Sequence, residues 1–433
     1  MICASRISLK SVLAIYLRPG YIHHYFSGRL MHQKRKTRAY RWFHGILKLS
    51  FGNFLKWRYR LEAVGLADLE SVPGPWLVLP NHVMTWDPVL ISLFIREPVY
   101  FIASDANFRN PVASWWLRRL GAIPTSKQAT DLTTVKQMLS LLKQGRHVGL
   151  FPEGERTWDG VTLPIIPATA KLVRLARRPV VVPVIKGGYL SLPRWSFKSR
   201  RGPISIEYKL AISAEELPKL SLQEIQEKIE KALFHDEHEY QNSQNLPYIA
   251  PAPAEPLQLV LFSCPECRNM NCMEGTGNLF RCRNCGFTTA FSAYGRFRPV
   301  NGYTTHFESI SRWADWQNNL LREKVDEMRN GSSPETPLFH DEPVNYATGY
   351  KFKSLKHQAK GRLLLNALGI EFHPQGGRPL QFPWSEIRAL NVVYQNQLEF
   401  YYRNSLQVFT FPGKDTSGYK YLAAGKHFLT PSE

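Results

Sequence analysis

Trp76-Leu-Val-Leu79 is an apolar, strand-like run, and after one proline it continues into Asn81-His-Val-Met-Thr-Trp-Asp87. A candidate base, His82, and a candidate orienting carboxylate, Asp87, therefore leave the same strand end together. Their spacing does not stack them as an i,i+4 helix pair, but a loop entering a helix can fold one back on the other. Asp87 precedes Pro88 and the apolar stretch Val89-Leu-Ile-Ser-Leu-Phe94, so it is also expected to be an N-cap followed by a first-turn proline. A carboxylate has two oxygens, and capping is compatible with orienting His82.

Outward from this stretch, a second apolar run, Val148-Gly-Leu-Phe151, opens into Pro152-Glu-Gly-Glu-Arg-Thr157, with a cation and a permissive glycine at another strand end. Around these blocks, strand-like and helix-like runs alternate. Residues 131–144 carry Val135, Met138, Leu139 and Leu142 on one face with Gly145 as a stop; residues 168–177 repeat the helical pattern; Val180 to Ile185 is a strand. Ser221 with Glu224 forms a capping box ahead of Leu222, Ile225, Ile229 and Leu233, a helix that closes the unit near Phe234. The pattern is α/β.

The two blocks together resemble the glycerolipid acyltransferases, the lysophosphatidate acyltransferase family. The resemblance runs from about Leu61 to Leu217 and implies a mixed sheet flanked by helices. Within it, Asn81 to Asp87 corresponds to the segment that carries the family's catalytic His and Asp, which implies a base at His82 and an orienting acid at Asp87. Phe108-Arg-Asn-Pro111 through Gly121-Ala-Ile-Pro-Thr-Ser-Lys127 is similar to a segment that helps bind the acceptor, with Lys127 where an Arg is usual. Glu153, Gly154 and Arg156 fall in the motif whose Glu and Arg contact a phosphorylated acceptor, and Asn81 is a further candidate binding residue. The chemistry suits acyl transfer, because a hydroxyl attacking a thioester must lose its proton and a neutral imidazole held by a carboxylate accepts it. The resemblance implies acyl-CoA or acyl carrier protein as donor, lysophosphatidate or a related lysophospholipid as acceptor, and no catalytic cofactor. Two departures bear on the acceptor: Glu155 stands where a Thr is common, and Ser104 and Asp105 stand where a Lys is common. An added carboxylate facing the ligand beside Arg156 would weaken phosphate binding. Glycerol 3-phosphate, a lipid amine, or a non-catalytic docking role are the competing readings.

The chain has 433 residues, enough for two or three domains at the rough prior of ~150 residues each. Its net charge of +20 is uneven: residues 1–60 hold thirteen Lys or Arg and no Asp or Glu. Within that segment, residues 40–59 place Phe43, Ile46, Leu47, Phe54 and Trp57 near helical spacing, interrupted by Arg41, Lys48, Lys56 and Arg58. A spanning helix needs about 20 largely apolar residues, so a basic amphipathic helix lying at a lipid surface is expected. Val12-Leu-Ala-Ile-Tyr-Leu17 is shorter than the core of about 7–15 residues that a signal peptide needs, so the expected location is the cytoplasmic face of a membrane.

Cys264-Pro-Glu-Cys267 and Cys282-Arg-Asn-Cys285 are two Cys-x2-Cys knuckles with fourteen residues between them. Four thiolates at this spacing match a closed, structural Zn(II) site, with Cys272 a spare thiol or a substitute ligand; a redox pair or disulfides are the competing readings. Charge around the knuckles is modest, Arg268, Arg281 and Arg283 against Glu266 and Glu274, so nucleic acid is not an expected partner. Beyond the breaker Asn330-Gly-Ser-Ser-Pro334, six short strand-like runs between Leu363 and Phe411 and a helix over residues 418–429 look like a small barrel capped by a helix, similar to pleckstrin-homology and GRAM-type domains. The expected organisation is a basic interfacial segment (1–60), the α/β domain (61–234), a linker (235–258), a zinc ribbon plus helix (259–330) and the β domain (336–433).

Overall fold

The computed structural model describes residues 41–125, 132–300, 302–351 and 353–429. Lys127 and residues 1–40 of the basic segment lie outside the described residues. The described chain opens with α1 (Arg41–Leu47) and α2 (Asn53–Tyr59), joined through a π-helical turn at Lys48–Gly52. This continuous helical stretch has two kinds of surface. Phe43, Leu55 and Tyr59 are buried against the domain, whereas Trp42, Ile46, Leu49 and Trp57 are exposed.

Seven strands follow in one sheet: β1 (Glu62–Val64), β2 (Leu77–Val78), β3 (Val99–Ser104), β4 (Ile123–Thr125), β5 (His147–Gly149), β6 (Val180–Lys186) and β7 (Ser205–Ile212). Their order is β1-β7-β6-β2-β5-β3-β4. Only β6 and β7 pair antiparallel; the other neighbours run parallel. Leu77, Val78, Val148, Val180 and Val181 are fully buried, because helices cover both faces, and the central strands consequently read as continuous apolar runs. The helices are α3 (Asp87–Ser92), α4 (Pro111–Leu120), α5 (Leu132–Lys143), α6 (Ala168–Ala176), the single turn α7 (Gly188–Ser191) and α8 (Leu222–Leu233). The capping box forms: Ser221 Oγ accepts from the Glu224 N–H at 3.1 Å and Glu224 Oε2 from the Ser221 N–H at 2.7 Å. Since β2 and β5 are parallel neighbours, their carboxyl ends, and the two sequence blocks that follow them, lie side by side.

Residues 235–258, expected as a linker, are packed instead. Asp236 caps α9 (Glu237–Gln244), fully buried Glu237 accepts the Gly187 N–H at 2.6 Å, and Tyr248, also buried, donates to the Pro203 carbonyl. The polar composition suggested solvent, but these polar groups are spent on hydrogen bonds into the domain.

The cysteine-bearing segment forms an antiparallel sheet of β8 (Met273–Thr276), β9 (Leu279–Cys282), β10 (Thr288–Phe291) and β11 (Phe297–Pro299), backed by α10 (Ile310–Asn330). The last part is a second seven-stranded sheet, β12 (Phe339–Gly349), β13 (Lys356–Leu365), β14 (Gly369–Pro374), β15 (Leu380–Pro383), β16 (Arg388–Val393), β17 (Gln397–Tyr402) and β18 (Ser405–Thr410), with α11 (Gly418–Leu429) packed on β16 and β17. All its pairs are antiparallel in the order β15-β14-β13-β12-β18-β17-β16. Strand β12 is the element that periodicity does not reveal, because Asp341-Glu-Pro343 falls at a bulge within it.

One hydrophobic cluster joins all these parts, running from Val78 and Met84 through Trp195, Phe262 and Phe280 to Phe372 and Phe428. At its centre Trp313 sits edge-on to Phe280 at 5.4 Å and 5.0 Å from Phe297, and donates Nε1–H to the Ser263 carbonyl at 3.0 Å. Trp313→Ala should destabilise the protein by ~3–5 kcal/mol. Because the core is shared, far-UV circular dichroism and tryptophan fluorescence should report the same earlier denaturation midpoint; separate transitions would contradict a shared core.

Candidate active site

His82 and Asp87 meet at the carboxyl end of β2. His82 Nδ1 lies 2.8 Å from Asp87 Oδ2, and the same oxygen accepts the Val83 and Met84 N–H groups at 2.8 and 3.0 Å. Asp87 is fully buried, so this carboxylate is held by a closed set of donors. It is the first residue of α3 and not its cap; Trp86 occupies the cap position, and the Asp87 oxygens turn back on the loop before the helix. With Asp87 at Nδ1, the ring hydrogen is placed there and Nε2 keeps the lone pair. The imidazole stacks on Phe151 with ring centres 3.9 Å apart. Burial lowers the His82 pKa below its ordinary value, Asp87 pulls it back up, and the positive charges of Arg156 and Arg194 push it down again, so the ring is neutral near pH 7.

The second block ties itself to the first at three points. The Thr157 N–H donates to the His82 carbonyl at 3.0 Å, Arg156 Nη1 donates to Thr85 Oγ1 at 2.9 Å, and Glu153 Oε1 accepts the His82 N–H at 2.6 Å. Glu153 is buried and its other oxygen accepts the Leu163 N–H at 2.7 Å. Burial pushes its carboxyl up to about 8 against the pull of those two amides. Both Glu153 oxygens are committed to main-chain donors, and the residue braces the loop. Asn81 is likewise turned inward, exchanging two hydrogen bonds with the main chain of Ile185 at 2.8 and 3.0 Å. Gly154 has φ +75°, the left-handed conformation the motif needs to turn between Glu153 and Arg156.

Arg156 is the motif's outward-reaching cation. Burial and neighbouring Arg194 lower it to about 10, which leaves it charged at pH 7. Glu155, the departure at the adjacent position, does not compete with it, because its carboxylate pairs with Arg194 at 2.9 Å and Lys426 of α11 at 2.7 Å. Asp105 is buried and pairs with Arg109 at 3.8 Å, and Arg109 also chelates Glu399 of β17 at 2.5 and 3.1 Å.

Arg194 carries no recognisable signature in the sequence. Its guanidinium donates to Glu155, to the Arg156 carbonyl at 2.7 Å and to the Val392 carbonyl of β16 at 2.7 Å, and it covers the Trp158 ring at 4.2 Å. Trp158 in turn stacks on Tyr419 of α11 at 4.6 Å. The C-terminal sheet and helix thus clamp the back of the Arg156 turn.

Away from this cleft, the sulfurs of Cys264, Cys267, Cys282 and Cys285 all lie within 4.8 Å of one another. The Asn284 N–H and side-chain amide point at Cys282 and Cys267 Sγ at 3.4 and 3.6 Å. Cys272 is 3.5 Å from Cys282 Sγ and donates to the Asn269 carbonyl.

Residues 63–186 match the family model described as Acyltransferase. A chloroplastic 1-acyl-sn-glycerol-3-phosphate acyltransferase of Brassica napus is 26% identical over 140 residues, covering 32% of this chain and 40% of that protein. The 1-acyl-sn-glycerol-3-phosphate acyltransferase of Streptococcus pneumoniae is 28% identical over 120 residues, covering 27% of this chain and 43% of its own. Among solved structures, the 1-acyl-sn-glycerophosphate acyltransferase PlsC of Thermotoga maritima aligns with a TM-score of 0.39 at 18% identity, over 50% of this chain and 84% of that one. The chain spans under half the length of these two curated relatives. Over residues 63–186, the chain is thus similar to the Acyltransferase family and to curated 1-acyl-sn-glycerol-3-phosphate acyltransferases.

Proposed function

We propose that this protein is a membrane-associated O-acyltransferase that moves a fatty acyl group from acyl-CoA or acyl carrier protein to the hydroxyl of lysophosphatidate or a related lysophospholipid. The observation that carries the reading is the 2.8 Å contact between His82 Nδ1 and Asp87, with Arg156 tied to Thr85 of the same loop. The acceptor hydroxyl gives its proton to His82 Nε2 as its oxygen attacks the thioester carbonyl. Asp87 stabilises the imidazolium, the carbon–sulfur bond breaks, and the proton passes from His82 to the leaving thiolate. Arg156 holds the acceptor phosphate, and Glu153, Asn81 and Arg194 position the two loops. The orientation of Glu155 towards Arg194 and Lys426 favours a phosphorylated acceptor over a lipid amine, since the added carboxylate is neutralised away from Arg156. Lys127 is a candidate acceptor contact on the resemblance alone.

The same proposal extends to the other parts. Cys264, Cys267, Cys282 and Cys285 fit a tetrahedral thiolate site, with N–H donors aimed at two of the sulfurs, so a structural Zn(II) would be held there by protein ligands only. The C-terminal sheet with its helix is a domain of the pleckstrin-homology or GRAM type. The exposed Trp42, Ile46, Leu49 and Trp57 of the basic N-terminal segment support attachment to a lipid surface, and among the described residues no helix is long and apolar enough to cross a membrane.

Four measurements test this. His82→Ala should reduce acyl transfer ~10²–10⁴-fold in a protein that stays folded, and near-normal turnover would end the mechanism. In wild type, kcat/KM should rise with pH through a group whose pKa lies below 6.5 and stay level towards neutrality, because the neutral ring is the active form; a limb above 6.5 would place the base elsewhere. Arg156→Ala should raise KM about tenfold or more for phosphorylated acceptors, since a hydrogen bond to a charged group is lost; an unchanged KM would move the phosphate site. Metal analysis should find about one zinc per chain, and Cys264→Ser should lose both metal and stability, whereas metal-free protein of full stability would refute the site.

A further inference from the structure

Helix α4 has no buried residue, although it is ten residues long and carries Val112, Trp115, Trp116 and Leu117. A helix in a folded domain ordinarily hides its apolar stripe. Here Val112, Trp115 and Trp116 are 48%, 46% and 38% exposed. Beside them stands α1, whose buried Phe43 touches Trp116 and Trp115 at ring distances of 5.2 and 6.1 Å. Its neighbours Trp42, Ile46 and Leu49 face solvent. The aromatic surface of the N-terminal segment therefore continues onto the α/β domain.

Helix α4 itself carries positive charge only. The guanidinium of Arg119 lies 3.5 Å over the Trp115 ring, Arg118 is one residue away, and residues 106–130 contain no Asp or Glu. At the root of α4, Arg109 donates Nε–H to the Lys351 carbonyl at 3.2 Å, which fixes the turn between β12 and β13 against it. That turn and the start of β13 present exposed Lys353, Lys356 and Lys360, in a stretch from 344 to 370 that is also free of acidic residues. The acid-free residues 41–61 and the turn that carries Lys351 thus adjoin α4 and its root.

We propose that α4, α1 and the β12–β13 turn form one docking face for an anionic bilayer surface, with Trp115 and Trp116 seated at the level of the headgroups. The inference rests on the membrane reading given above and extends it from the N-terminal segment to the folded domains. Tryptophan beside arginine suits the headgroup region, where an amphipathic ring meets water and lipid together, and clustered Lys and Arg are drawn to anionic lipid. The shared positive charge opposes a second copy of the chain as occupant. Phe51, between α1 and α2, contacts Trp86 at 5.1 Å, one residue before Asp87, so a bilayer at this face lies beside the catalytic loop. An acceptor could then reach His82 with its acyl chain still in lipid.

The test is co-sedimentation of the full-length chain with vesicles of phosphatidylcholine, with and without phosphatidylglycerol, across a salt series. Trp115→Ser/Trp116→Ser should weaken binding to both vesicles about tenfold or more and leave the salt dependence unchanged, because the lost contribution is apolar. Lys353→Glu/Lys356→Glu/Lys360→Glu should weaken binding to the phosphatidylglycerol vesicles alone, about tenfold or more at low salt. Both variants should keep the wild-type far-UV circular dichroism spectrum and thermal midpoint, which shows that the fold survives. Wild-type binding that the tryptophan variant matches would overturn this face and leave the membrane reading on residues 1–60. Failure of the wild type to bind either vesicle would overturn both readings. A tryptophan-dependent change of oligomeric mass without lipid would assign the face to a second copy and overturn the proposal.

Discussion

A buried carboxylate governs the loop after β2. Asp87 is excluded from water, and an ionised group there is tolerable only when donors surround it. The Val83 and Met84 N–H groups and His82 Nδ1 are those donors, so the loop after β2 must curl tightly enough to bring all three within about 3 Å. The curl sets the imidazole's orientation and its hydrogen, and leaves Nε2 with its lone pair. The same loop is braced from the neighbouring strand end by Glu153, whose oxygens bridge the His82 and Leu163 main chain. Two carboxyl groups in adjacent motifs thus do different work: one orients the ring and the other holds the backbone that carries it.

The C-terminal half is part of this arrangement, through contacts that desolvate charge. Arg194 is enclosed by Glu155, the Arg156 carbonyl and the Val392 carbonyl, and Arg109 by Asp105, Glu399 and the Lys351 carbonyl. Breaking one partner of such a buried pair is strongly destabilising, because the other is left charged without compensation. The acidic residues that looked unfavourable near an anion site, Glu155 and Asp105, are the residues that make these contacts. Their negative charge faces arginines, and Arg156 is left as the cation beside His82.

How far the sequence could be read follows from what each feature depends on. The pairing of His82 with Asp87 and the neighbouring strands β2 and β5 were legible because short-range pattern determines them: an apolar run, a loop, a proline-led helix. The capping box at Ser221 and the cysteine knuckles were legible for the same reason. The roles of Asn81 and Glu153 were not, because a polar residue in a motif reads the same whether it faces a ligand or a main-chain amide 71 or 104 positions away. Arg194 was hidden because its partners come from three distant segments. The stretch 235–258 was misread as a linker because its polar residues satisfy one another and the domain, and β12 was missed because Pro343 sits where a bulge accommodates it.

The most direct test of the central claim, that Asp87 sets the tautomer of a basic His82, is nitrogen-15 NMR of labelled histidine in wild type and Asp87→Asn, run alongside transfer of labelled acyl groups to lysophosphatidate. An asparagine oxygen can still accept the loop amides but no longer stabilises an imidazolium. The account predicts a neutral His82 with its hydrogen on Nδ1 in wild type, and in the variant a folded protein with transfer reduced by orders of magnitude. A wild-type ring protonated on Nε2, or an Asp87→Asn protein that transfers acyl groups at the wild-type rate, would contradict it.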